Sequence, residues 1–142
     1  MSVFSLVATD MSRHGIELGR IRRAVFIEEQ GVPEALEWDA HDAVSMHWLA
    51  VLADGSPVGC ARLLPDGYLG RMAVLRAWRG QGIGRALLHA ALHEAQRRGL
   101  DAVRLSAQLH AADFYRCAGF VTEGAPYEEA GIPHIAMVKL LS

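Results

Sequence analysis

Short alternating runs of apolar and polar residues fill most of the chain, and a helical spacing replaces them in two places. Val3 to Ala8 is a β-like run. From Met11 to Gln30 the spacing is helical: Leu18, Ile21 and Val25 recur every three or four residues, and Gly31 with Pro33 ends the pattern. Residues 31–45 read as a loop or a broken helix. His47 to Ala53 is apolar enough for a buried strand, and Asp54-Gly55 signals a hairpin into a strand over Val58 to Leu64. Pro65-Asp66-Gly67 turns the chain into a third strand, Tyr68 to Leu75.

The clearest helix runs from about Gly80 to Arg98 and is closed by Gly99. Gly84, Leu87, Ala91 and Ala95 share the face that packs on a sheet, whereas Arg85, His89, His93, Gln96 and Arg97 share a solvated face. Ala102 to Ala107 predicts a strand, His110 to Cys117 a short helix, and Gly119 to Thr122 the start of another strand. After a loop containing Pro126 and Pro133, Ile135 to Leu141 forms the last strand. The order β, α, three hairpin-linked strands, α, β, α, β, β predicts a mixed α/β fold.

Composition changes this picture little. A chain of 142 residues, 51% hydrophobic and 21% charged, suits one compact domain, residues 1–142, with a substantial core. A formal net charge of −2 gives no general attraction to nucleic acid or an anionic membrane, so neither partner is expected. No apolar run approaches the roughly 18 residues of a membrane span. Met1 to Ser5 has neither a basic region nor a signal-like apolar run, and a cytoplasmic protein is the expectation. Cys60 and Cys117 are too isolated for a zinc set, and both read as small buried hydrophobes. His89 and His93 have the spacing of metal ligands but lie on the solvated face with no Glu after His89, so no metal is expected.

Chemistry enters with Arg79-Gly80-Gln81-Gly82-Ile83-Gly84, between a strand and a helix start. Unpaired N–H groups and a partial positive charge at a helix N-terminus attract phosphate oxygens. Glycines at alternate positions let a ligand approach the backbone and permit positive φ. Arg79 and Arg85 bracket the loop with charge suited to phosphate. A turn that merely joins strand to helix is the bland alternative. A dinucleotide fingerprint needs Gly or Ala where Arg85 or Leu87 stands, which counts against a nicotinamide- or flavin-dependent oxidoreductase, and a P-loop needs Gly-Lys-Ser/Thr.

Arg79-x-x-Gly82-x-Gly84 resembles the Arg/Gln-x-x-Gly-x-Gly/Ala signature of the GNAT N-acetyltransferase superfamily. Gly70-Arg71-Met72-Ala73-Val74 is similar to the fourth strand of that family. Gln108-Leu109-His110-Ala111-Ala112-Asp113-Phe114-Tyr115, followed by Gly119-Phe120, resembles its Asn-x-x-Ala-x-x-Phe-Tyr…Gly-Phe motif, with Gln108 in place of Asn. A narrower likeness to the bacterial ElaA-like branch rests on Val25 to Gln30, Ser106-Ala107-Gln108 and Gly131 to Met137.

The resemblance implies a GNAT fold: a central, mostly antiparallel twisted sheet of about six or seven strands flanked by about four helices. It implies acetyl-CoA as cosubstrate, held by Met72, Ala73 and Val74, by the loop Arg79, Gly80, Gln81, Gly82, Ile83, Gly84 and Arg85, and by Gln108 and Tyr115. The implied activity is acetyl transfer to a primary amine of a small molecule or peptide, by direct attack in a ternary complex. A non-catalytic acyl-CoA-binding or sensing module would keep the same loop. Family members are commonly dimers, so a homodimer fits the resemblance, though no residue requires one.

Tyr115 is the implied general acid for the leaving thiolate. An alkylammonium near pKa ~10 must first lose a proton, and the candidate acceptors are Glu28, Glu29, Asp39, His47, His110, Glu128 and His134. Glu28 and Glu29 sit where a helix C-terminus disfavours negative charge, a local conflict that a functional site or a solvated helix end would each explain. Glu29 is the expected base, and Glu28, Glu29, His110 and His134 are the expected acceptor-side residues. From Ala24 to Ala61 there is no Lys or Arg, while Glu28, Glu29, Glu34, Glu37, Asp39 and Asp42 crowd that stretch; Glu123, Glu128 and Glu129 form a second cluster. An acidic mouth would favour a cationic amine, and a solubilising surface would share its composition.

Overall fold

The Asp10 carboxylate accepts the Arg13 N–H at 2.9 Å and so ends strand β1 (Phe4–Thr9) and starts helix α1 (Met11–Arg22). These elements come from a computed structural model that describes residues 4–141, so Val3 lies outside the described residues. The apolar stripe Leu18, Ile21 and Val25 packs on Leu49, Cys60 and Ala73, as the spacing predicts. The helical run does reach Glu29, but its second part, Arg23–Glu29, is wound as a π-helix, with Gln30 N–H bonded to the Val25 carbonyl at 3.2 Å. A short α2 (Glu34–Glu37) and a 3₁₀ turn (Ala40–Val44) break the following segment.

β2 (Met46–Leu52), β3 (Pro57–Leu63) and β4 (Leu69–Val74) extend an antiparallel sheet in the order β1-β2-β3-β4. α3 (Ile83–Arg97) covers the face opposite α1 and starts a few residues later than its sequence pattern suggests. Its first turn lies so close to β3 that a Cβ on Gly59 would sit 3.0 Å from Ile83 Cγ2 and 3.2 Å from Leu87 Cδ1. β5 (Ala102–Gln108), α4 (Ala112–Arg116), β6 (Val121–Glu129) and β7 (Ile132–Leu140) follow, and the second sheet has the order β5-β7-β6.

Two expectations need correction here. The segment with Pro126 and Pro133 is a long hairpin rather than a loop. Pro126 lies where the β6–β7 register shifts, on an edge strand; Pro133 lies beyond the last β5 pairing, Gln108 with His134. Neither position needs a ladder N–H from both sides. Cys117 is exposed, whereas Cys60 is buried and its thiol is pushed up to about 12 by that burial.

The seven strands, antiparallel within each sheet as expected, fall into a four-stranded and a three-stranded sheet. Their junction is a parallel bridge between Tyr68 and Arg104, with Arg104 N–H bonded to the Gly67 carbonyl at 3.1 Å. Beyond it, among the described residues, β4 and β5 share no ladder. One apolar core joins both sheets on the α3 side through Leu63, Leu69, Val103, Leu105 and Met137. The α1 side of the second sheet therefore carries the alternate residues: Arg104, Ser106 and Gln108, then Tyr127, Glu129 and His134.

Candidate active site at the opening between β4 and β5

β4 is irregular where it leaves its neighbour. Cys60 pairs with Ala73 and Arg62 with Gly70, so β4 carries one extra residue over that interval. The bulge falls at Arg71, which has φ +46°, a left-handed conformation costly for a side chain with a Cβ. Its backbone carbonyl accepts the Cys60 S–H at 3.3 Å. Its guanidinium reaches the Glu37 carboxylate at 3.0 Å, the Leu36 and Glu37 carbonyls, and Asp39 at 3.1 Å.

Below the bulge lies a network of buried ion pairs. Arg22, 1% exposed, donates to Glu37 at 2.9 Å and Asp42 at 2.7 Å, while Trp38 covers its guanidinium at 4.9 Å. Arg62 donates to Asp39 at 2.7 Å and Asp42 at 3.1 Å, and His47 Nε2 meets the Asp42 carbonyl at 3.0 Å. Burial pushes the Asp42 carboxyl up, but Arg22 and Arg62 outweigh it and hold the group below its ordinary value. For Glu37 burial wins over Arg71 and Arg22, and the carboxyl sits above its ordinary value. Most of the first acidic cluster is thus neutralised internally, and Asp39 and His47 belong to this scaffold.

The glycine loop follows β4. Gly80 has φ +77° and Gly82 φ +87°, and a Cβ at either would meet nothing within 4 Å. Glycine is needed there for the backbone conformation alone. Gly82 is the N-cap of α3 and offers no side chain to its first-turn N–H groups. Gly84 faces β4 and α4 at the helix start: a Cβ there would make ordinary contacts, 3.6 Å from Phe114 Cζ and 3.8 Å from Val74 Cγ2. Ile83 is buried in the core and offers only its backbone; Met72 and Val74 pack partly into the same core, Ala73 faces α1, and Arg85 is exposed.

Arg79 is engaged already. Its Nε donates to the Val74 carbonyl at 2.9 Å, and its fork holds both oxygens of Glu29 at 2.7 Å. Arg76 approaches the same carboxylate at 3.3 Å. Hydrogen bonds from Arg79 hold Glu29 below its ordinary value, against a smaller effect of burial. Glu29 therefore ties the π-helix to the loop, and its carboxylate is a poor proton acceptor while so paired. Glu28 is exposed beside it, and a cavity of about 320 Å³ runs between these glutamates, Ala24, Val25, Leu75 and Arg76.

Tyr115 is half-buried, edge-on to Phe114 at 5.1 Å and to Phe120 at 5.9 Å. Burial pushes its phenol up to about 12, so it keeps its proton at neutral pH. Gln108 donates to Gln30 Oε1 at 2.7 Å, linking the end of β5 to the end of the π-helix. His134 is buried on β7, its ring stacked on Tyr127 at 6.2 Å, and His110 is exposed on the turn after β5. Sequence reasoning missed Arg71, Gln30 and Tyr127, because each acts through a partner distant in the chain. Among the described residues no group of three His, Cys, Asp or Glu side chains is placed to hold a metal, and no helix is long and apolar enough to cross a membrane.

Comparison with known proteins agrees with this fold. Residues 7–141 match the family described as the acetyltransferase (GNAT) domain. The chain is 34% identical to Escherichia coli ElaA over 84% of its own length and 83% of that protein. The ElaA crystal structure superposes with a TM-score of 0.86, at 30% identity, over 96% of this chain and 99% of that one. An acyl-CoA N-acyltransferase from Pseudomonas aeruginosa gives 0.86 at 34% identity, over 96% and 99% of the two chains. Another relative, YyaT of Bacillus subtilis, is 33% identical over 96% of this chain and 94% of its own. Matched to that family over residues 7–141 and more than 30% identical to relatives over most of its length, the chain belongs to the GNAT acetyltransferase family.

Proposed function

We propose that this acetyltransferase moves an acetyl group from acetyl-CoA to a primary amine, with both substrates bound at once and the amine attacking directly. The observation that carries this reading is the opening between β4 and β5, bounded by the Arg71 bulge and by the uncapped start of α3. The fit to acetyl-CoA follows part by part. N–H groups from Gly80 to Gly84 suit the phosphates. The free edge of β4 at Met72, Ala73 and Val74 suits the amide-bearing arm, because an unpaired strand edge bonds an extended chain. Acetyl-CoA supplies the thioester as acyl donor.

The remaining roles belong to this chain's own groups. Backbone N–H groups around the bulge are suited to stabilising negative charge on the acyl oxygen. Tyr115, held protonated, donates to the departing sulfur. Arg79 and Glu29 fix the loop against β4 and the π-helix. The amine nitrogen forms the new bond to the acyl carbon as the carbon–sulfur bond breaks.

A panel of alkylamines, arylamines and peptides, followed by free thiol release, tests the reading. Tyr115→Phe is expected to slow transfer roughly a hundredfold, with acetyl-CoA affinity by calorimetry unchanged. An unaltered rate removes Tyr115 from the mechanism. Tight acetyl-CoA binding without thiol release from any amine makes the chain a binding module instead.

A further inference from the structure

We infer that Glu129, Tyr127 and Tyr68 form the subsite for a cationic alkylamine, and that His134 Nε2 removes its proton; this rests on the acetyltransferase reading above. Among the described residues, α1 and the π-helix cover the first sheet on one side, and no helix covers the second sheet on that side. The polar residues there face the opening instead of a partner helix.

Position comes from register. Tyr68 and Arg104 are level at the bridge, so Ser106 is level with Gly70, next to the bulge at Arg71. Tyr127 and Ser106 join through a hydroxyl–hydroxyl hydrogen bond, and Ser106 donates to Glu129 at 3.5 Å. Burial, then the nearby Tyr127 and Glu129, push the Tyr68 phenol above its ordinary value. Two phenol rings and a carboxylate thus gather on the face beside the opening. That combination suits an ammonium cation.

The proton acceptor follows from hydrogen bonding. His134 is 7% exposed, and its Nδ1 lies 2.6 Å from the Ile132 carbonyl oxygen. A carbonyl oxygen only accepts, so Nδ1 carries the hydrogen and Nε2 presents a lone pair. Among the described residues Nε2 has no hydrogen-bond partner; Glu129 Oε2 faces it at 3.7 Å, close enough to stabilise an imidazolium. The other groups around it do not compete. Gln108 on β5 is uncharged, Arg104 and Glu123 face each other farther along, Glu128 points to the opposite face, and His110 is exposed on the turn packed against β7.

The balance closes. R–NH₃⁺ gives one proton to His134 Nε2, which passes it to solvent. The nitrogen loses a second proton as it forms the amide; Tyr115 gives its own proton to the thiolate, and the proton from nitrogen restores the Tyr115 phenol through solvent. The sum is ammonium plus thioester giving amide, thiol and one released proton.

His134→Gln and Glu129→Gln test this with n-butylamine as probe. His134→Gln is expected to cut the rate about a hundredfold at pH 7 and to recover as the pH approaches the pKa of the amine, near 10. Glu129→Gln is expected to raise KM for butylamine, with acetyl-CoA affinity by calorimetry unchanged. Independently of turnover, ¹⁵N-resolved spectra of the free protein should show the His134 hydrogen on Nδ1. An Nε2–H tautomer, or a His134→Gln rate equal to the parent's at every pH while the parent turns over, overturns the inference alone. A parent that releases no thiol with any amine overturns the acetyltransferase reading as well.

Discussion

Glu37, Asp39 and Asp42 lie beneath the first sheet among Arg22, Arg62 and Arg71, whereas Glu123, Glu128 and Glu129 lie on the exposed hairpin of the second sheet near Arg104 and His134. Apart from Glu128, which points to the opposite face, both clusters lie on the same side of the fold. In the first, every named carboxylate is paired with arginine and α1 closes the lid. In the second, Glu129 is 54% exposed at the side chain, and His134 and the Ser106 hydroxyl face it rather than an arginine. Burial makes charge a structural obligation in one place and leaves it available to a ligand in the other. The acidic composition shared by the two stretches therefore says little about the acceptor; what matters is which carboxylates are left unneutralised.

The largest effect should come from breaking the first cluster. Arg22→Met leaves Glu37 and Asp42 without the buried cation they share, and about 3–5 kcal/mol of stability should be lost. Urea unfolding at pH 7 measures it; a loss under about 1 kcal/mol would mean the cluster is solvated. The pH dependence has a definite sign. Asp42 is held below its unfolded value of 3.8, so its contribution is complete above that pH and fades as the pH falls through the lowered folded value. Glu37 is held above 4.5, so it opposes folding at neutral pH and that cost is relieved by acid. Asp42→Asn should therefore weaken the protein more at pH 7 than at pH 3.

Next in size is Arg71, where the first cluster touches the opening. Lysine keeps the charge but lacks the fork that reaches Glu37, Leu36 and Asp39 together, so Arg71→Lys should cost about 1–2 kcal/mol. Arg71→Gly removes the brace yet relieves a left-handed residue, a gain of roughly 1–2 kcal/mol. The two variants should be similarly stable, and both should slow thiol release, because the bulge loses its anchor. Full activity in Arg71→Gly would show that the bulge holds its shape unaided.

How much of this was readable follows from how local each signal is. Gly80 and Gly82 were legible because the residue type itself announces positive φ; Arg71 was not, since an arginine gives no such sign. The stripe Leu18, Ile21 and Val25 fixed the buried face of α1, and Arg22, four residues after Leu18, lies on that same stripe. That was the available cue to a buried cation. The stretch from Ala24 to Ala61 looked purely acidic because its arginines, Arg22 and Arg62, stand just outside its ends. Pro126 and Pro133 hid the hairpin, whose edge position and register shift exist only once the strands have paired. Pairings such as Gln30 with Gln108 or Arg79 with Glu29 join segments far apart in sequence, and no local pattern encodes them.

Glu129→Gln should separate the clusters most directly. An exposed carboxylate contributes little to folding, so stability should change by under about 0.5 kcal/mol, although the affinity for an alkylammonium falls. The buried cluster should behave in the opposite sense, losing stability first and activity only through it. A Glu129 variant as destabilised as Arg22→Met would make the hairpin a second scaffold rather than a binding surface.

The smallest effect belongs to Arg104 and Glu123, which approach to 3.7 Å with both side chains about half exposed. Water screens such a pair, and holding two long side chains in one geometry costs entropy, so Arg104→Gln should cost no more than about 0.5 kcal/mol. In 1 M salt, where the Debye length is about 3 Å, even that difference should vanish. Urea unfolding at low and high salt checks this. A loss that persists in salt would mean that Arg104 acts through its aliphatic stem, packed beside the Tyr68 bridge that joins the sheets, and the hairpin face would then owe its order to packing rather than to the absence of charge partners.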